Sequence, residues 1–164
     1  VKNNSWRIKG GFSLIELLVV ISIIILLAII AKPNFMRFLA KAKRSEAYIN
    51  LNSLYMAQKA YWLEHGTYST SLLGSNGLGW KPEGYKGGGA QENFYYTYGF
   101  PGTEGQQCVT GKLLAPQSSL SPSHAGKDTF LIVAAGDIDG DGELDILSID
   151  HNKEIRIDND DLAK

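Results

Sequence analysis

From Phe12 to Ala31 the chain reads FSLIELLVVISIIILLAIIA, twenty residues that are apolar or small apart from Ser13, Ser22 and one carboxylate, Glu16. At the helical rise per residue such a run is about 30 Å long, the thickness of a bilayer's hydrocarbon core. A membrane-spanning helix is therefore the first expectation. A secretory signal has a basic leader, an apolar stretch of only about 7 to 15 residues and then a small-residue cleavage site. Here Lys2, Arg7 and Lys9 supply the basic leader, but the apolar stretch is too long and no A-x-A pattern follows it. The small residues Gly10 and Gly11 precede the run instead. Cutting there would remove a short polar leader and leave the span on the product.

Glu16 is the anomaly. A carboxylate inside an apolar membrane helix costs a few kcal/mol even on lenient insertion scales, and such a residue usually has a partner. Cleavage after Gly11 would place a new α-amine on Phe12, one helical turn from Glu16. One chain's geometry tends to point the two groups along the same axis, so a neighbouring chain's amine is an equally natural partner. A packed array of such helices would neutralise each glutamate with an adjacent terminus.

The stretch GGFSLIELLVV, with Gly11 before Phe12 and Glu16 fifth after the glycine, resembles the prepilin signature of type IV pilins and type II secretion pseudopilins. The resemblance extends through Pro33, Asn34 and Phe35 to KRSEAYINLNSLYMAQKAYWLEHGTYST, covering about the first 70 residues. It implies cleavage after Gly11 by a prepilin peptidase on the cytoplasmic side and N-methylation of Phe12. It also implies that Glu16 serves subunit recruitment and register during assembly, and that the helix bends or unwinds near Pro33 in the filament. One local feature runs against simple topology. Lys32, Arg37, Lys41, Lys43 and Arg44 follow the span with no acid before Glu46, so the positive-inside count favours the opposite orientation. The specific cleavage signature outweighs that count, because the basic stretch lies on a helix that continues.

Pro33 lacks a donor and clashes with the preceding turn, which predicts a kink or local melting near Ala28 to Pro33. Beyond it, Ala47, Tyr48, Leu51, Leu54, Tyr55, Tyr61 and Trp62 recur at helical spacing, with Lys43, Arg44, Asn50, Asn52 and Lys59 on other faces. Gly66 is the predicted stop. Thirteen of the 18 glycines fall between Gly66 and Lys127, so this part reads as loop-rich. Its GYKGGG run lacks the Gly-Lys-Ser/Thr ending of a phosphate cradle. Within it Phe94, Tyr96, Tyr98 and Phe100 alternate as on a strand, and a weaker strand is predicted over Cys108 to Leu114. Strand signals return at 129–135 and 144–149. The fold class is α+β: a long N-terminal helix, apolar then amphipathic, packed on a small antiparallel sheet with a loop-rich C-terminal region. The expected organisation is a cleaved leader over 1–11, a membrane and filament-core helix over 12–33, its amphipathic half over 34–65 and a β-rich head over 66–164.

Between the last two strands lies GDIDGDGELD. Asp137, Asp139, Asp141 and Asp145 stand at positions 1, 3, 5 and 9 of a calcium-loop pattern, with Gly142 at position 6 and the Glu143 carbonyl at position 7. Calcium is thus the candidate cofactor. Position 12 is Ser148, so the bidentate glutamate of an EF-hand is missing. A plain hairpin turn rich in Asp and Gly is the alternative. Cys108 is the only cysteine, so no disulfide closes this chain on itself; many pilins close their C-terminal region with a cystine, which makes an ion clip attractive here.

Catalysis finds no support in the residue pattern. His65, His124 and His151 have no metal-ligand spacing, Cys108 has no evident base partner, and the serines over 118–123 lack a nucleophile elbow. The balance of 16 basic and 17 acidic residues gives no sign of a nucleic-acid ligand. The expected function is a structural subunit of a type IV pilus, assembled as a homo-oligomeric filament by an inner-membrane platform and an ATPase. It would sit in the bacterial inner membrane before assembly and at the cell surface afterwards. The alternatives are the major pseudopilin of a type II secretion system, in a periplasmic pseudopilus, and a signal-anchored, calcium-dependent binding module.

Overall fold

The computed structural model describes residues 11–74 and 76–163. Residues 1–10, which hold nearly all of the expected leader, lie outside the described residues. One helix, α1 (Leu14–His65), carries the chain from the apolar run into the head. Two compact units divide between Met36 and Arg37.

In the first unit, α1 is apolar on every side and exposed throughout. Among the described residues it is the one helix long and apolar enough to cross a membrane; its best 18-residue window has a mean hydropathy of 3.2 with none of it buried. The chain remains helical across Pro33, so the local melting expected there does not occur. Proline removes a single rung, the bond to the Ile29 carbonyl, and the turns on either side persist. At the next residue, the Asn34 side chain donates Nδ2 to the Ile30 carbonyl at 3.3 Å.

In the second unit, Ala40, Ala47, Leu51, Leu54 and Gln58 are the buried residues of α1, spaced by alternating threes and fours or their sum. The predicted stripe is therefore right at its centre but shifted at its end: Trp62 is 40% exposed, and Tyr61 stacks on His65 at the helix terminus. Gln58 takes the next buried position because it has backbone to satisfy. Its amide donates Nε2 to the Ser69 carbonyl at 2.6 Å and accepts from the Ser69 N–H at 3.1 Å. Gly66 ends the helix in the left-handed region at φ +68°, its N–H donating to the Trp62 carbonyl.

The sheet is antiparallel throughout and ordered β2–β1–β4–β5–β6, with β3 paired separately to β4. Its strands are β1 (Thr97–Gly99), β2 (Cys108–Val109), β3 (His124–Ala125), β4 (Phe130–Gly136), β5 (Asp145–Asp150) and β6 (Ile155–Asn159). β4 and β5 fall within a residue of their predicted positions. Alternation divides β4 between two cores: Phe130, Ile132 and Ala134 join the main core with α1, whereas Val133 and Ala135 face a smaller one with Cys108, Ala115 and Leu120. That second layer explains why the predicted strand around Tyr96 reads differently in space. Phe94, Tyr96, Tyr98 and Phe100 do enter the main core, but pairing holds only over Thr97–Gly99, and Thr97 on the opposite side is buried too, donating Oγ1 to the Ala115 carbonyl. β6 is the outermost strand, with Arg156, Asp158 and Asn159 exposed.

Leu51 is fully buried in the main core. Leu51→Ala is expected to lower stability by about 2–5 kcal/mol through lost transfer energy and a residual cavity. Met56→Ala, on the exposed side of the same helix at 62% exposure, should stay within about 0.5 kcal/mol of the parent. Denaturant midpoints of the two variants check the orientation of α1.

Candidate functional sites

The start of α1 is a reciprocal cap. The Ser13 N–H donates to Glu16 Oε2 at 2.8 Å, and the Glu16 N–H donates to Ser13 Oγ at 3.3 Å. This is the Ser-x-x-Glu capping box, which satisfies two of the donors that every helix start leaves without a partner. The Ser-x-x-Glu spacing in SLIE is the sequence signal for this cap. Gly11 and Phe12 precede the first helical turn and are exposed, Phe12 by 85%. Pro33 is exposed within the helix. Glu16 and Pro33 lie on the helix and Gly11 and Phe12 just before it, on a segment that is exposed among the described residues.

The second site is in the head. Asp137, Asp139 and Asp141 lie on the β4–β5 turn, where their carboxylates fold the loop back on itself. Asp137 accepts from the Gly140 and Gly142 N–H groups at 2.7 and 3.0 Å, Asp139 from the Asp141 N–H at 3.2 Å, and Asp141 from the Glu143 N–H at 2.9 Å. The fourth carboxylate at this cluster comes from Asp161, in the turn after β6. Oxygens of Asp137, Asp139, Asp141 and Asp161 all lie within 4.8 Å of one another. Asp161 is 1% exposed, and its Oδ2 accepts from the Ile138 N–H at 3.2 Å. Burial, followed by the charges of Asp139, Asp141 and Asp137, raises its carboxyl above the ordinary range.

Asp145, placed at this loop by the sequence pattern, is positioned differently, and the pattern places Glu143 there only through its backbone carbonyl. The Glu143 side chain is exposed and outside the four-carboxylate group. Asp145 belongs to a buried network with α1. Arg44 donates Nε to its Oδ2 at 3.0 Å and Nη2 to its Oδ1 at 2.5 Å, Tyr96 donates its hydroxyl to Oδ2 at 2.6 Å, and the Asp161 N–H donates to Oδ1 at 3.3 Å. Arg44 also pairs with Asp160. Burial alone would lower the Arg44 pKa, but its bonds to Asp145 and Asp160 raise it. Burial and the bond to Asp145 push the Tyr96 hydroxyl up. Position 9 of the calcium pattern is thus spent on holding the helix to the sheet, and Asp161 stands at the cluster instead. Arg44 reads from sequence as one more surface cation. Only its spacing with Ala40, Ala47 and Leu51 marks it as inward-facing.

Cys108 is buried, and burial together with neighbouring Glu104 pushes its thiol up to about 12, which disfavours the reactive thiolate.

Residues 6–31 match the prokaryotic N-terminal methylation motif. The chain is 49% identical over 73 residues to a type IV major pilin, PilA of Myxococcus xanthus, an overlap of 44% of this chain and 32% of that protein. It is 35% identical over 80 residues to the type IV major pilin PilE1 of Neisseria gonorrhoeae, covering 49% and 48% of the two chains. With a fimbrial protein of Neisseria meningitidis it shares 36% identity over 64 residues, 39% of this chain and 38% of the other. The matches span from about a third to about half the length of these relatives. The matched motif covers the opening of the long apolar helix that precedes the antiparallel sheet. Over less than half of its length, the chain is similar to type IV major pilins.

Proposed function

We infer that this chain is a structural subunit of a type IV pilus. The observation that carries the reading is the first unit: a helix apolar on every side, exposed along its whole length, with a single acid five residues past Gly11. Such a surface is stable in a bilayer or against other copies of itself, and a head-to-tail interface that does not close generates a filament. Residues 1–11 are the leader, removed by a prepilin peptidase. Phe12 becomes the methylated N-terminus and Glu16 meets the amine of an adjacent copy. Residues 12–33 move from the inner membrane into the filament core, with 34–65 continuing the helix and 66–164 forming the head. An inner-membrane platform and an assembly ATPase supply the machinery and the energy, and the subunit itself performs no catalysis.

Mass spectrometry of the chain extracted from membranes and from sheared surface fibres tests this. The expected product starts at Phe12 and carries one added methyl group, and it is abundant in the fibres. A chain that retains residues 1–11 and never polymerises would overturn the reading. Recovery only in short periplasmic assemblies would assign it to a secretion pseudopilus.

A further inference from the structure

We propose that Asp137, Asp139, Asp141 and Asp161 bind one calcium ion that clips the β4–β5 loop to the C-terminal turn. Asp161, more than the acidic loop, marks the site. Its carboxylate is almost completely buried, its Oδ1 has no hydrogen-bond partner, and among the described residues it forms no ion pair. A carboxylate taken out of water without a counter-charge is costly, and proteins that tolerate one pair it or let it ligate a metal. The nearby ammonium of Lys43 is engaged by the Ile138 carbonyl at 2.7 Å. What Asp161 does face is three more carboxylates, with one oxygen from each of the four inside a 4.8 Å span. Their mutual repulsion favours an open loop, and a hard cation coordinated by all four reverses its sign.

Oxygen ligands alone, on a flexible loop with room for water and backbone carbonyls, suit calcium. Magnesium demands near-ideal octahedral geometry and gives up its waters reluctantly. The bidentate position-12 glutamate is absent, Ser148 being buried in β5. The expected affinity is therefore that of weak extracellular modules, with a Kd of about 10⁻⁴ to 10⁻³ M. The clip joins residues 20 or more apart in sequence at the point where the Asp161 N–H already touches Asp145. This inference stands independently of pilus assembly.

Isothermal titration of CaCl2 into the full chain in detergent micelles tests it. The expected result is one saturable site, weakened at least about tenfold in both Asp161→Asn and Asp139→Asn and changed less than about twofold in Glu143→Gln. Asp139 is exposed, so its variant reports on binding even if Asp161→Asn perturbs the fold. No saturable binding up to about 10 mM CaCl2, unchanged affinity in Asp139→Asn, or equally tight binding of MgCl2 would overturn the proposal.

Discussion

Glu16→Ala is expected to insert and be processed normally, yet to lower the yield of sheared fibres by at least about tenfold, a change equivalent to about 1.4 kcal/mol of assembly free energy. Two terms compete at this residue. An ionised carboxylate costs about 2.5–3.5 kcal/mol at the centre of a membrane helix and less in the first turn, where Glu16 lies, so its removal should ease insertion somewhat. The cap that Glu16 closes with Ser13 contributes about 0.5–2 kcal/mol to the helix start, which alanine also removes. Glu16→Gln separates them, because glutamine still accepts from the Ser13 N–H but carries no charge. If charge pairing with a neighbouring terminus drives recruitment, Glu16→Gln fails like alanine. If the cap is what matters, glutamine assembles like the parent, and the pairing argument is lost. Immunoblots of sheared and membrane fractions, with the processed length checked in each, give the answer.

Arg44→Ala should destabilise the head by about 3–5 kcal/mol, the usual result of leaving a buried charge without its partner. The Asp145 side chain is fully buried, and that of Arg44 is only 12% exposed. Losing the guanidinium removes two of the four donors on that carboxylate and leaves the Tyr96 hydroxyl and the Asp161 N–H to solvate a buried anion. The bond to Asp160 adds little, since that partner is 41% exposed and screened by water. An apolar double variant, Arg44→Met with Asp145→Leu, is expected to recover much of the loss, because replacing both members of a buried pair avoids the desolvation cost. Denaturant midpoints of the three proteins measure the difference. A loss below about 1 kcal/mol in Arg44→Ala would mean that the pair behaves as a surface bridge.

Features encoded by neighbours in sequence were legible before the fold was known. The apolar run, the amphipathic centre at Ala47, Leu51 and Leu54, the stop at Gly66, and the strands on either side of the acidic loop all follow from local period and turn chemistry. What escaped depends on distant closure. Asp161 looks like one acid in a polar tail, and nothing near it in sequence says that β6 returns it to the loop at Asp137. β6 itself offers only Ile155 and Ile157 as apolar signals among charged residues. Arg44 and Gln58 are polar residues on a buried stripe, so composition argues against the positions that spacing favours. Of the kink or local melting expected at Pro33, melting does not occur, since a single missing rung does not stop a helix whose adjacent turns hold.

The exposed outer strand of the sheet has a consequence for crowding. A subunit packed beside many copies of itself, as the proposed filament requires, runs a standing risk that open backbone edges will zip together into a continuous sheet. β6 presents Arg156, Asp158 and Asn159 to water, and the opposite margin, β2, is only two residues long. Charge at one border and brevity at the other discourage strand addition by a neighbouring head.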